Sequence, residues 1–293
     1  MTDLTFHRVA VLGAGTMGQG IAQVCAVAGL ETRLYDPLDA QRRKATDAAR
    51  ACIEKMREKG RISDEVSVRA NRNLQPLASI EGACEGADLV IEAAPESMDL
   101  KVDLLARAGG SALPTAVLAS NTSSLSITEL GTRLGAAGRT VGMHFFNPPP
   151  LMELLEVVRG LGTSEATIAL ALAFAAEIRK TPIVVRDAPG FATSRLGVAI
   201  GAEAMRMLEA GVASVTDIDR AMELGYRHPM GPLKLTDLVG LDVRLAILEH
   251  LHREVGEQFR PPSILRQMVR AGRLGKKSGR GFYRWTEAGP VAD

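Results

Sequence analysis

The chain has 293 residues, 46% of them hydrophobic, which at about 100–200 residues per domain suggests two domains. Lys plus Arg total 35 against 34 for Asp plus Glu, and the resulting net charge of +1 excludes the basic footprint of a nucleic-acid or lipid-surface binder. No run approaches the roughly 18 apolar residues of a membrane span, and Cys25, Cys52 and Cys84 show neither zinc-ligand nor disulfide-framework spacing.

From His7 to about Arg186, short aliphatic runs alternate with helical stretches, the pattern of a parallel sheet covered by helices. Strands are expected at Arg8–Leu12, Thr32–Tyr35, Leu89–Glu92, Ala116–Ala119, Val141–Phe145, Leu154–Val158 and Ile183–Val185. Between the second and third of these, a charged helical segment over about 38–72 is expected to project from the sheet. At Asp187–Pro189–Gly190 the strand signals stop, and helices are expected over Phe191–Ala210, Val215–Glu223, Pro232–Glu254 and Pro262–Ala271. The fold expected is an α/β Rossmann-type dinucleotide-binding domain over residues 1–186, followed by an all-α C-terminal domain over 187–293. Ala199, Ile200, Met205, Met207 and Leu208 put apolar surface on that second half, either for a second subunit or for packing on the first domain.

Val9–Leu12 runs directly into Gly13-Ala14-Gly15-Thr16-Met17-Gly18, a strand, a GxGxxG turn and a helix in the order a dinucleotide site needs. Gly13 allows the tight turn, Gly15 leaves room for a pyrophosphate, and Gly18 lets helix and strand approach closely. Asp36 ends the second strand eighteen residues after Gly18, where a carboxylate accepts from the adenosine ribose hydroxyls and repels a 2′-phosphate. NAD is therefore the expected cofactor, and no metal site is expected. The ordinary alternative is a glycine turn in another α/β protein, with Asp36 a surface acid.

Further along stand Ile91-Glu92-Ala93-Ala94-Pro95-Glu96, Ser120-Asn121-Thr122-Ser123-Ser124-Leu125, His144-Phe145-Phe146-Asn147-Pro148 and Asp187-Ala188-Pro189-Gly190-Phe191. Gly225-Tyr226-Arg227-His228-Pro229-Met230-Gly231-Pro232 and Gly275-Lys276-Lys277-Ser278-Gly279-Arg280-Gly281-Phe282-Tyr283 follow. Through these segments the sequence resembles, over essentially its whole length, the L-3-hydroxyacyl-CoA dehydrogenases, particularly the stand-alone 3-hydroxybutyryl-CoA type. The resemblance implies NAD-dependent oxidation of an L-3-hydroxyacyl-CoA to its 3-ketoacyl-CoA and the reverse, in fatty acid metabolism and β-oxidation.

It also implies roles. His144 is the acid/base on the substrate's 3-hydroxyl, and Glu156, twelve residues on, steadies it; a histidine titrating near neutrality suits that task. Ser123 bonds the 3-oxygen and approaches the nicotinamide; Glu96, Lys101 and Asn147 line the nicotinamide-ribose end; Lys277 is a further cofactor contact. For the CoA phosphates the candidates are Lys55, Lys59 and Arg61, with Lys59 favoured by alignment, although this charge run also suits a solvated helix. Much of the family carries an asparagine where this chain has Ser194, which retains one donor and a shorter reach.

The resemblance further implies a homodimer through the helical domain, and an acyl-CoA partner with no nucleic acid and no membrane. The apolar run near His7 leaves no room for a secretion signal, so a reducing, cytoplasmic location is expected. Two other functions fit parts of the pattern: a dehydrogenase of a free hydroxy acid, such as a sugar acid or carnitine, and a non-catalytic nucleotide-binding protein.

Overall fold

A computed structural model describes residues 6–292, which divide at Ala188–Pro189 into two compact units. The first opens with β1 (Arg8–Leu12), α1 (Thr16–Ala28), β2 (Glu31–Tyr35), α2 (Asp39–Glu58), α3 (Asp64–Asn73), β3 (Leu74–Leu77), α4 (Ile80–Cys84) and β4 (Leu89–Glu92). It continues through α5 (Met98–Ser111), β5 (Val117–Ser120), α6 (Ile127–Arg133), β6 (Thr140–Phe145), β7 (Leu154–Arg159), α7 (Glu165–Glu177) and β8 (Thr181–Arg186).

These strands form one eight-stranded sheet in the order β3-β2-β1-β4-β5-β6-β7-β8. The order reverses at β1, which has β2 on one side and β4 on the other, and such a switch point opens a crevice at the carboxyl ends of the strands. Because β1, β4 and β5 are covered on both faces, they are almost wholly apolar, with Val9, Val11, Leu89, Ile91, Val117 and Ala119 at 1% exposure or less. Six helices (α3, α4, α5, α6, α7 and a later one at residues 215–225) start behind a serine whose hydroxyl accepts from a backbone amide inside the first turn. Each such cap is worth about 1 kcal/mol.

The sheet departs from the expected parallel arrangement in one place. β7 runs antiparallel to β6 and parallel to β8, because only residues 146–153 separate β6 from β7, too few for a crossover helix. The β3 edge strand was not expected: Leu-Gln-Pro-Leu carries a proline, which an edge tolerates. Nor does the 38–72 segment stand away from the body. α2 lays Ala45, Ala49 and Ile53 against the core as a narrow small-residue face, and its charges cover the remainder.

The second unit contains α8 (Thr193–Glu209), α9 (Val215–Gly225), α10 (Pro232–Val239), α11 (Leu241–Glu254), α12 (Ser263–Arg270) and an antiparallel hairpin of β9 (Tyr283–Thr286) and β10 (Gly289–Ala292). It is helical as expected, with the closing hairpin added. The long helix expected over Pro232–Glu254 is two, broken at Gly240, whose φ of 107° lies where a side-chain-bearing residue is strained. Val198, Met205, Ile218, Leu233, Leu248, Leu251 and Leu265 form a separate core.

Candidate active site

The glycine turn closes as its spacing requires. Gly13 takes φ 104° and its amide donates to Tyr35 O at 2.8 Å, tying β1 to the end of β2. A Cβ on Gly18 would lie 1.7 Å from Gly13 O, so α1 can leave the strand this steeply only with glycine there. Gly15, by contrast, faces open space and caps α1 without a side chain, which leaves the helix's first amides directed at any anion placed there. Asp36 is anchored at the crevice by the amides of Ala14 (2.9 Å) and Leu38 (3.0 Å). Its two oxygens have further lone pairs for ribose hydroxyls. This combination fits a dinucleotide.

Across the switch point, at the ends of β4 and β5, lies a buried polar cluster. Lys101 on α5 is 1% exposed and donates to both oxygens of Glu92 (2.8 and 3.0 Å) and to Ala94 O (3.2 Å). Glu92 itself is fully buried and also accepts from Ser120 Oγ (2.6 Å) and Ala94 N (2.6 Å). A buried ion pair survives desolvation only when its remaining lone pairs and protons are satisfied in this way. Lys101 also approaches Glu96 at 3.2 Å. Lys101, expected at the nicotinamide-ribose end, is buried, and Glu96 is the exposed end of the chain of charges.

Glu96 in turn accepts from Thr122 Oγ1 (2.5 Å), Ser123 N (3.1 Å) and Ser124 Oγ (2.9 Å), which fixes the Ser120–Leu125 turn. Burial pushes its carboxyl upward, but the Lys101 charge and the Thr122 and Ser124 hydroxyls outweigh this and hold it below the ordinary range. Glu92, Ser120 and Thr122 have no role assigned from the sequence pattern. The signal was present: one acid ends an otherwise apolar strand, and a lysine follows nine residues later.

His144 and Glu156 are directly opposite each other in the β6–β7 ladder. Nδ1 of the imidazole lies 2.7 Å from Oε2 of the carboxylate, with His144 at 7% exposure and Glu156 at 0%. The twelve-residue spacing is thus that of an antiparallel pair around a short connection. Phe146 packs on the imidazole at 4.6 Å between ring centroids. Asn121 Oδ1 accepts from Phe145 N at 2.9 Å, fastening the Ser123 turn to the end of the histidine strand. Asn147, exposed, follows through a cis peptide to Pro148, and Lys180 braces this connection by donating to Pro149 O (2.6 Å) and Met152 O (2.7 Å). Burial lowers the Lys180 pKa.

Also in the first unit is a cavity of about 640 Å³ lined by Gln23, Val27, Met56, Arg61, Arg69 and Lys180, among others. Arg61 therefore reaches a cavity, whereas Lys59 caps the exposed end of α2. Arg69 Nε is buried without an acceptor. In the second unit, Ser194 occupies the first turn of α8, and Lys277 pairs with Asp242 at 2.6 Å. There the glycine motifs serve the backbone. Asp219 accepts from Leu233 N and Lys234 N, while Asp237 accepts from Phe282 N, Tyr283 N and Trp285 Nε1.

A nucleotide crevice beside an imidazole–carboxylate pair defines an NAD-dependent oxidoreductase. Residues 8–188 match the NAD-binding domain of 3-hydroxyacyl-CoA dehydrogenase, and residues 190–285 match that enzyme's C-terminal domain. The chain belongs to the 3-hydroxyacyl-CoA dehydrogenase family. It is 42% identical to a probable 3-hydroxybutyryl-CoA dehydrogenase of Deinococcus radiodurans, over 95% of this chain and 100% of that one. A 3-hydroxyadipyl-CoA dehydrogenase of Escherichia coli is 39% identical over 96% of this chain and 60% of its own length. The crystal structure of (S)-3-hydroxybutyryl-CoA dehydrogenase from Ralstonia eutropha superposes with a TM-score of 0.92 at 41% identity, covering 96% and 100% of the two chains.

Proposed function

We propose that this enzyme interconverts short-chain L-3-hydroxyacyl-CoA thioesters, 3-hydroxybutyryl-CoA among them, with their 3-keto forms, using His144 as the acid/base. The observation that carries this reading is the 2.7 Å pairing of His144 with the buried Glu156 in a strand ladder. With Nδ1 engaged by the carboxylate, Nε2 is the nitrogen that exchanges a proton with the substrate's 3-oxygen. Bound NAD supplies the hydride acceptor. Gly13, Gly15, Gly18 and Asp36 hold its adenosine and pyrophosphate end, and Glu96, with Lys101 behind it, and Asn147 hold the nicotinamide ribose.

Ser123 donates to the 3-oxygen from a turn that Glu96 and Asn121 keep rigid. Ser194 takes the second contact to that oxygen with a shorter reach than asparagine. The CoA phosphates take their cations from Lys59, Arg61 and Arg69, two of which line the cavity beside α1. Lys277 is assigned to the cofactor, exchanging Asp242 for it. The exposed Leu196, Ile200, Leu224 and Tyr226 support a homodimer through the helical unit, which light scattering would test. Three free thiols and the absence, among the described residues, of a helix able to cross a membrane fit a role in cytoplasmic fatty acid metabolism.

The decisive experiment replaces His144 by Gln and follows NADH oxidation with acetoacetyl-CoA. General acid–base catalysis contributes about 10²–10⁴-fold, so turnover should fall by that much while NADH binding, read by fluorescence, is retained. A smaller loss would remove His144 from the mechanism. Activity of the unaltered enzyme on free 3-keto acids but not on the thioester would instead favour a free hydroxy acid as substrate.

A further inference from the structure

The connection that joins the strand of His144 to that of Glu156 is gripped from two sides. On one side stands Lys180, the residue before β8, whose ammonium donates to Pro149 O (2.6 Å) and Met152 O (2.7 Å). Two carbonyls three residues apart thus converge on one half-buried cation. Burial lowers its pKa, and the Glu153 charge offsets only part of this. A lysine serving as surface charge keeps its ammonium in water, whereas this one is desolvated against the backbone it holds. Hydrogen bonds from a charged donor are worth about 1.5–3 kcal/mol each.

On the other side stands α1, the helix that leaves the glycine turn. A Cβ on Gly20 would lie 2.7 Å from Pro149 Cδ and 2.8 Å from Pro149 Cγ, so the buried proline ring rests on the helix backbone itself. Gly20 has no positive φ to require glycine, and alanine in a helix interior is favoured by about 1 kcal/mol. The glycine therefore answers to the ring, which is rigid and cannot swing aside as a longer side chain would. Between β1 and β6 stand β4 and β5, so the sheet relates the nucleotide turn to His144 only through three successive strand pairings. Pro149 on Gly20 makes the direct contact.

We propose that Lys180 is a positioning residue for hydride transfer: it seats Pro149 on Gly20 and so sets the distance between the connection that follows His144 and the helix that binds the cofactor. This rests on the dehydrogenase reading with His144 as its acid/base. Proton and hydride leave neighbouring atoms of one substrate, and a misplacement of about 1 Å can cost 10²-fold in rate. Lys180 also lines the cavity of about 640 Å³ beside α1, where a cation could serve a ligand directly. Two of its three donors are already committed to carbonyls of the connection, which assigns it to the loop instead.

The test follows one turnover of enzyme-bound NADH with saturating acetoacetyl-CoA by stopped flow. The rate constant reports the chemical step, and the amplitude reports the fraction of intact sites. Lys180→Met should lower the rate constant roughly 10–100-fold at nearly full amplitude, with NADH affinity kept. Lys180→Arg, which still offers donors to both carbonyls, should recover part of the rate. Gly20→Ala reaches the same contact from the helix side: its methyl group displaces the ring, and the rate constant should fall although Lys180 is intact. An unchanged rate constant in Lys180→Met, or a loss confined to the amplitude, would overturn the proposal. So would weaker affinity for acetoacetyl-CoA with the saturated rate kept, which would make Lys180 a substrate contact. If Lys180→Met does not fold, Gly20→Ala decides alone, and a normal rate constant there overturns the proposal as well. Failure of the unaltered enzyme to oxidise NADH with this thioester would instead bring down the dehydrogenase reading.

Discussion

Each unit buries two carboxylates at its motif residues, and the company they keep differs. In the first unit Glu92 meets the Lys101 ammonium and Glu156 meets the His144 imidazole, groups that carry charge or exchange protons. In the second, Asp219 and Asp237 accept from backbone amides, from the Tyr283 hydroxyl and from the Trp285 indole. Burial raises the pKa of Asp237 against those hydrogen bonds, and that of Tyr283 rises through burial and then its bond to Asp219. Buried acids thus meet groups that carry charge or exchange protons in one unit, and in the other they hold chain segments together through backbone amides and neutral donors.

Substitution can break this contrast. The largest effect on activity within it is expected for Glu156→Gln, which keeps the shape and removes the charge beside the imidazole. Kcat should fall about 10²-fold or more while the melting temperature changes little. Asp237→Asn should do the reverse, costing about 1–3 kcal/mol of stability through a mispaired buried donor with kcat preserved. Denaturant melts run beside steady-state assays check both, and a Glu156→Gln enzyme with full kcat would erase the distinction.

Lys101→Met should behave unlike either. It strands Glu92 as a fully buried acid, and breaking such a pair costs about 3–5 kcal/mol. It also releases Glu96 and the Ser123 turn, so KM for NADH should rise together with the loss of stability. If Lys101→Met melts normally and shows an altered KM alone, the lysine serves the cofactor directly, as the sequence suggested.

How much of this was legible follows from the range of each signal. The glycine turn, Asp36 and the apolar strands are local, and their spacing carries the nucleotide crevice. The His144–Glu156 pair was legible through family resemblance, since the antiparallel return of β7 that places the two side by side depends on how a short connection folds. The Glu92–Lys101–Ser120 cluster joins three separate segments, and each residue by itself reads as the end of a strand or an ordinary helix charge. Arg244 is the extreme case. It sits in Leu241-Asp242-Val243-Arg244-Leu245, where arginine reads as a solvated position, and only its burial, with Gly197 opposite, distinguishes it.

The smallest expected effect concerns Glu96, at the border between the buried charges and the cleft. Burial acts to raise its pKa, but the Lys101 charge and the hydroxyl donors overcome this, so the folded state holds the proton less tightly than the unfolded chain. A carboxyl depressed in this way contributes stability above its unfolded pKa of about 4.3, and that contribution is lost as pH falls through the lower folded value. Glu96→Gln should therefore lower the melting temperature modestly at pH 7, and the gap from the unaltered enzyme should close as the pH is taken below the ordinary glutamate range. Because Glu96 is 37% exposed, solvent screening keeps the shift small. A gap that persisted unchanged into acid would mean that Glu96 holds the Ser123 turn by shape and neutral hydrogen bonds, and the line between charged chemistry and backbone support would then run through the first unit itself.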